Sequence, residues 1–280
     1  MAEITAAMVK ALRDSTQLPM MECKKALAES DGDMEAAKQK LREAGKKFMG
    51  KRQDRATEEG RIGVFASTRE GVGAMIELQC ESAPVAANEE FIQLANDLAQ
   101  QLATGPGAAT AESLWAQPSP SKASLSKGGM TLEEQRDELQ NKIREVFRLA
   151  RQERIDASCG GFVHMAKIGV LLEVEGGNDD LAKDVALHIA AMNPKATNKE
   201  NLDPSLVDAE REIQMERARK EGKPENIIEK MIEGRMRNFY AEHVLSEQPF
   251  VRDEKQTVGD LAKAGGMKLV SFHRWQLGEK

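Results

Sequence analysis

HMAKIGVLLEVEGGNDDLAKDVALHIAAM, residues 164–192, sets an apolar run with an acid inside it ahead of two glycines and an amphipathic stretch. That order reads as strand, glycine-bearing loop, then helix. An earlier stretch, GVGAMIELQCESAPVAANEEFIQLANDLAQQLA at 71–103, follows the same plan and also carries an acid inside its strand. The two share little identity, so what repeats is the order of elements. A pair of sheet-plus-helix units makes the fold class α+β.

Upstream, RIGVFASTREGVGAMIELQCE (61–81) gives two apolar runs around a glycine-containing turn, a β-hairpin. The helix that follows carries Phe91, Leu94, Ala95 and Leu98 at helical spacing. Residues 104–129 are rich in Gly, Pro, Ser and Ala and read as loop, at least at their ends. Thr131 and Glu134 form a T-x-x-E capping pattern. It opens a long helix with Leu139, Ile143, Val146, Phe147 and Ala150 on one stripe.

The first fifty residues read as three short helices. Thr5 caps the first, which turns Met8, Val9 and Leu12 inward. DSTQLP (14–19) stops it, and Pro19 suits the entry to a second helix with Cys23, Ala26 and Leu27 inside. A third places Met34, Ala37, Lys38 and Leu41 around a helix expected to stop at Gly45. The basic stretch KKFMGKRQDR (46–55) reads as linker.

After Pro204 two polar helices meet at EGKPEN (221–226), with Gly222 suited to the C′ position of the first and Pro224 to the first turn of the second. Ala209, Ile213 and Ala218 are expected to face Ile228, Met231, Ile232 and Phe239 across a narrow antiparallel seam, a coiled-coil-like hairpin. A short helix and a last strand complete the chain. The expected domains are a three-helix module (1–45), a linker (46–60) and a first α+β subdomain with the long helix (61–158). A second α+β subdomain (159–280) carries the hairpin inserted at about 204–240.

Composition narrows function. The 280 residues are 31% charged and only 4% aromatic, as expected of helix-rich modules with modest cores. A net charge of −6 argues against a dedicated nucleic-acid binder. The three cysteines, Cys23, Cys80 and Cys159, have neither disulfide-framework nor metal-ligand spacing. The N-terminus lacks a signal-peptide core, and no apolar run approaches the ~18 residues that span a bilayer. A soluble cytoplasmic protein is expected.

His164, His188, His243 and His273 stand in unrelated contexts, and there is no HExxH, GxSxG, P-loop or GxGxxG. No catalytic residue, metal site or cofactor is expected. What remains is a modular chain that touches another macromolecule at several places.

ITAAMVKALRDSTQLPMMECKKALAESDGDMEAAKQKLREAG (4–45) resembles the N-terminal module of the elongation factor Ts family, most specifically in L-R-x-x-T…M-M-x-C-K-K-A-L. KIGVLLEVEGG, LHIAAMNP, GKPENIIEKMIEGRM and QPFVRDEKQTVGDLA are similar to later segments of that family, in the same order. The resemblance implies a non-enzymatic guanine-nucleotide exchange factor for the GTPase elongation factor Tu, acting by differential binding. A Tu-holding chaperone or a paralogue with little exchange activity is the alternative. It also implies a ubiquitin-associated-like N-terminal module, no direct nucleic-acid or membrane contact, and a homodimer or two-to-two complex as possible assemblies.

The resemblance marks Arg13, Met20, Met21 and His164 as partner contacts. Met20, beside the turn, is the better contact; Met21 stays open between core and interface, because consecutive helical positions diverge by about 100°. After its equivalent of the strand IELQC the family usually carries Thr-Asp-Phe-Val, whose acid and ring intrude beside the magnesium site of the GTPase. Here Ser82, Ala83, Pro84 and Val85 stand in that loop. The carboxylate and the aromatic wedge are gone, and proline offers a smaller rigid knob.

Overall fold

Three helices come first in the computed structural model, which describes residues 3–122, 129–221 and 224–279: α1 (Ala6–Thr16), α2 (Met20–Ala28) and α3 (Met34–Gly50). Thr5 caps α1 by accepting the Met8 N–H, as expected, and Asp33 caps α3. Val9, Leu12, Leu18, Cys23, Ala26, Leu27, Ala37 and Leu41 form their shared core. Gly45 does not end the third helix. It is buried within α3, which runs on to Gly50, and a Cβ there would stand 2.5 Å from the side chain of Asn141. The missing side chain serves close helix approach rather than a left-handed cap.

The expected hairpin is β1 (Glu59–Ser67) with β2 (Val72–Cys80), and β3 (Arg148–Ile155) completes a sheet of order β1-β2-β3. The middle strand β2 is buried almost throughout, which accounts for its near-continuous apolar sequence. Its acid, Glu77, is 1% exposed and accepts from Arg151 Nε at 2.9 Å and from Gln79 at 2.8 Å. The one-turn α4 (Ala83–Ala86) and then α5 (Glu89–Thr104) follow, α5 burying Phe91, Leu94, Ala95 and Leu98 as its spacing requires. A short α6 (Ala111–Trp115) lies in the Gly/Pro-rich segment.

The Thr131–Glu134 capping box forms and opens α7 (Leu132–Ile143). The long helix expected from it is cut short. Arg144 turns left-handed at φ 68°, Val146 and Phe147 leave the helix, and Ala150 lies in β3. Phe147 instead packs edge-on against Phe91, ring centroids 4.9 Å apart.

A second sheet has the order β4-β5-β8, from β4 (Cys159–His164), β5 (Ile168–Gly176) and β8 (Met267–Gln276), antiparallel throughout. Here too the central strand follows a hairpin turn and leads to an Asn-capped helix, α8 (Asp179–Met192) after Asn178, as Asn88 caps α5. The in-strand acid Glu173 accepts from Ser271 Oγ of β8 at 2.7 Å. Val170, Leu172 and Val174 meet Val185, Ala186 and Ile189 of α8, with Leu245, Phe250, Val258, Met267 and Leu269 closing the core.

The helical hairpin is α9 (Pro204–Lys220) and α10 (Glu225–His243), with Asp203 capping α9. Its seam is Ala218, Ile228, Ile232 and Met236, backed by Val207, Met215, Phe239 and Tyr240. Ala209 and Ile213 do not face it: Ile213 is 56% exposed, and Val207 and Met215 take the inward positions. With so polar a helix the few apolar residues leave the register underdetermined. Pro224 sits at the N-cap of α10, and the Gly222 expectation lies outside the described residues. The two-stranded β6 (Pro249–Phe250) and β7 (Asp253–Thr257) and then α11 (Val258–Ala264) lead into β8. Two compact units contain these elements, one of residues 1–63, 76–153 and 277–280, the other of 64–75 and 154–276.

Candidate partner-binding surface

In the first unit, α1 ends where Gln17 turns left-handed at φ 57° and returns its N–H to the Arg13 carbonyl at 2.6 Å. Leu18 drops into the core, and the Pro19 carbonyl accepts from Glu22 and Cys23, starting α2 at once. Met20 and Met21 therefore occupy its first two positions. Met20 stands seven residues, about two turns, before Leu27 and so over the buried stripe, but beyond its covered length. It is 52% exposed; Met21, turned away, is 73% exposed, which removes the core reading for that residue. Arg13 is exposed too.

The loop after β2 is a built knob. Ser82 is extended, α4 makes one turn with Pro84 in its first positions, and the Ser82 carbonyl accepts from Ala86 N–H. Ala83 and Pro84 are exposed while Ser82 and Val85 are half-buried. Glu145 grips its entrance, accepting from the N–H groups of Glu81 and Ser82 at 3.1 Å each and from Ser82 Oγ at 2.6 Å. Arg61 holds the far end, donating to the Ala86 carbonyl at 3.2 Å.

Glu81 is gripped in return, by Val146 N–H at 2.9 Å and by Arg55 at 2.8 Å. Burial works to raise its pKa, but these bonds outweigh burial and hold the carboxyl below its ordinary value. Beneath the turn the Cys80 thiol donates to the Ser82 carbonyl at 3.3 Å, and burial pushes its pKa up to about 12, so it is a packing group rather than a nucleophile.

In the second unit, His164 is exposed at the β4–β5 turn, which Lys167 N–H closes onto the His164 carbonyl at 3.0 Å. Met165 and Ala166 both take positive φ, 48° and 62°, the geometry of a tight hairpin turn normally given to Asn or Gly. Met165 is thereby thrust out, 81% exposed. The sequence around it does not announce a hairpin tip, because the turn carries Met and Ala where Asn or Gly would signal one. Among the described residues no cluster of three or more His, Cys, Asp or Glu could hold a metal, and no helix is long and apolar enough to cross a membrane.

Comparison with known proteins gives these exposed elements a setting. The family profile described as "Elongation factor TS" matches residues 81–279. A protein named elongation factor Ts from Azoarcus sp. is 44% identical over all of this chain and 92% of its own length. Its namesakes from Thioalkalivibrio sulfidiphilus and Actinobacillus succinogenes are each 41% identical, over 99% and 100% of this chain and 92% and 93% of their own lengths. The chain belongs to the elongation factor Ts family. Its function is accordingly nucleotide exchange on elongation factor Tu, and the holding-chaperone alternative is not favoured.

Within an elongation factor Ts chain, the four residues marked by resemblance are all on the surface. Arg13, Met20 and Met21 belong to the first unit with the Ser82–Val85 turn; His164 belongs to the second. The supports of the turn, Glu145 and Arg61, were not foreseen from sequence. Glu145 lies 63 residues beyond Ser82, and no local pattern announces so distant a grip.

Proposed function

We propose that this chain drives GDP from elongation factor Tu with the Ser82–Val85 turn as a preformed apolar wedge, while Arg13, Met20, Met21 and His164 hold the partner. The observation that carries this is the double tether of the turn, Glu145 at its entrance and Arg61 at its exit. A tip held rigid before contact loses little conformational freedom on binding, so more of its contact energy can favour the distorted, magnesium-poor state. Compared with a phenyl ring, Pro84 buries less apolar surface. Fully burying a ring is worth about 1.5–3 kcal/mol, so the remaining contacts carry a larger share of the work.

In this reading the three-helix, ubiquitin-associated-like module, whose third helix runs on to Gly50, carries the methionine contact. The subdomains 61–158 and 159–280 carry the wedge and His164, with the hairpin at about 204–240 as a projection. The working place is the cytoplasm, and no bond is made or broken by the chain itself. The direct test is release of a fluorescent GDP analogue from the cognate GTPase, with and without this protein. Acceleration at substoichiometric amounts supports exchange; tight binding without acceleration leaves only the holding role. Mass measurement of the complex separates a one-to-one from a two-to-two assembly.

A further inference from the structure

Residues 144–147 join α7 to β3, and the side chains of the first two reach two different contact elements. Arg144, left-handed at φ 68°, donates through Nη2 to Glu22 Oε2 at 2.6 Å, and Glu22 immediately follows Met21. Its guanidinium lies 4.8 Å from the centre of the Phe48 ring, and its carbonyl accepts from Arg52 at 3.1 Å. Glu145 points to the other element and makes the three bonds to Glu81 and Ser82 described above. Val146, the next residue, closes the loop by donating to Glu81. One short turn thus grips the head of the methionine helix with one residue and the wedge with the next.

We infer that Arg144 and Glu145 are positioning residues for exchange, setting the spacing between the Met20–Met21 helix head and the Ser82–Val85 turn. The inference rests on the proposed function of those two elements. Two contacts on one partner reinforce each other only when their separation matches the sites they meet. A left-handed backbone at a non-glycine residue is sparsely populated, and here it is held by the Arg144 N–H bond to Gln140, 2.7 Å, and by the carbonyl bond to Arg52. The Arg144–Glu22 pair is partly solvated, so it adds little to stability. What it supplies is geometry.

The experiment uses the full chain with spin labels at Lys24→Cys and Ala87→Cys, exposed positions on the two elements that spare the contact residues. The native cysteines are all buried and leave the labels selective. The parent should give one narrow label–label distance. Arg144→Ala and Glu145→Ala should each broaden it with little change in Tm. Glu22→Ala, which breaks the first link from its other end, should match Arg144→Ala. Glu145→Gln should restore the narrow distance, since its carbonyl can accept both N–H groups and its amide can donate to Ser82 Oγ.

In GDP release from the cognate GTPase, Glu145→Ala should lower the rate at saturation about fivefold, and Arg144→Ala should chiefly raise the concentration needed for half-maximal rate. Unchanged distances in both alanine variants would overturn the inference. So would broadened distances with unaltered exchange. Pro84→Gly and Met20→Ala run beside them: if both leave exchange untouched, the contact assignment itself fails, while the label distances still decide whether residues 144 and 145 set the spacing.

Discussion

Gly45 and Asn141 pack so closely that a Cβ on the glycine would lie 2.5 Å from Asn141 Cγ. Asn141 is held in place, buried and donating to the Leu41 carbonyl at 3.3 Å. This contact seats α3 on α7, with Arg42–Glu138 and Lys46–Asp137 ion pairs beside it.

Gly45→Ala therefore tests two opposed effects. In a free helix the change would stabilise by about 1 kcal/mol. Here the overlap with Asn141 should outweigh that gain, for a net loss of about 1–3 kcal/mol, read by chemical denaturation. Gly45→Ala with Asn141→Ala should recover part of the loss, because the second change removes the obstacle. Additive losses would show that the contact is not the cause.

A pH effect is expected from His188. Val251 N–H donates to its Nδ1 at 3.2 Å, so Nε2 carries the proton toward Gln248 Oε1 at 3.0 Å, and Gln248 donates on to the Glu242 carbonyl. Burial lowers the His188 pKa, with the Gln248 bond opposing only in part. Above the unfolded value, about 6.5, both states are neutral and this histidine adds no pH dependence. As pH falls below it the unfolded chain takes up the proton first, so stability drops by at most about 1.4 kcal/mol per pH unit until the folded pKa is reached. Urea unfolding at pH 7.5 and 5.5 should show this slope, and His188→Gln should reduce it. An equal slope in the variant assigns it to other groups.

Pro84→Gly keeps the chain length but removes the knob and loosens the turn. GDP release should slow measurably without being abolished, while binding changes less, because the loss falls on the distorted state. Complete loss of stimulation with folding and binding intact would make this turn the sole driver. No change would make it a bystander.

Arg13→Ala with Met20→Ala should weaken binding to elongation factor Tu by about 1–3 kcal/mol, as loss of interface anchors does. Both side chains are exposed, so the folded module should be unaffected, and titration calorimetry against the GDP-bound partner reads the effect directly. Unchanged affinity and exchange would remove these two residues from the mechanism.

The hairpin at 61–81, the Thr131 cap and the α5 stripe were legible because pattern and local chemistry agree there. Residues 144–164 were not. Val146, Phe147 and Ala150 continue the helical stripe of α7, and Arg144 enters the left-handed region without the glycine that usually signals it. The strand that follows, RLARQERI, is too charged to announce itself, and its apolar partners come from distant sequence. The site divides the same way. Met20 and Met21 lie in one contiguous motif, whereas the supports of the Ser82–Val85 turn are assembled by the fold from Arg61, Glu81 and Glu145.

The hairpin offers the last test. Its base is sealed by Ala196, Leu202 and Val244 together with Val207, Phe239 and Tyr240. Backbone bonds from Lys195 to His243 and from Leu245 to Ala196, 2.8 and 2.9 Å, tie the two stems. Excision at the full 204–240 boundary would strip three residues from that seal. Replacing 211–236 with a short glycine-serine linker keeps them and removes only the outer seam of Ala218, Ile228, Ile232 and Met236. That seam meets the base through Val207, Phe239 and Tyr240, which the shortened chain keeps, so it should still unfold cooperatively, with a Tm within a few degrees of the parent. A broad or stepwise transition would show that the outer helices support the core of the second unit. Retained folding with weakened exchange would place the outer hairpin in partner contact.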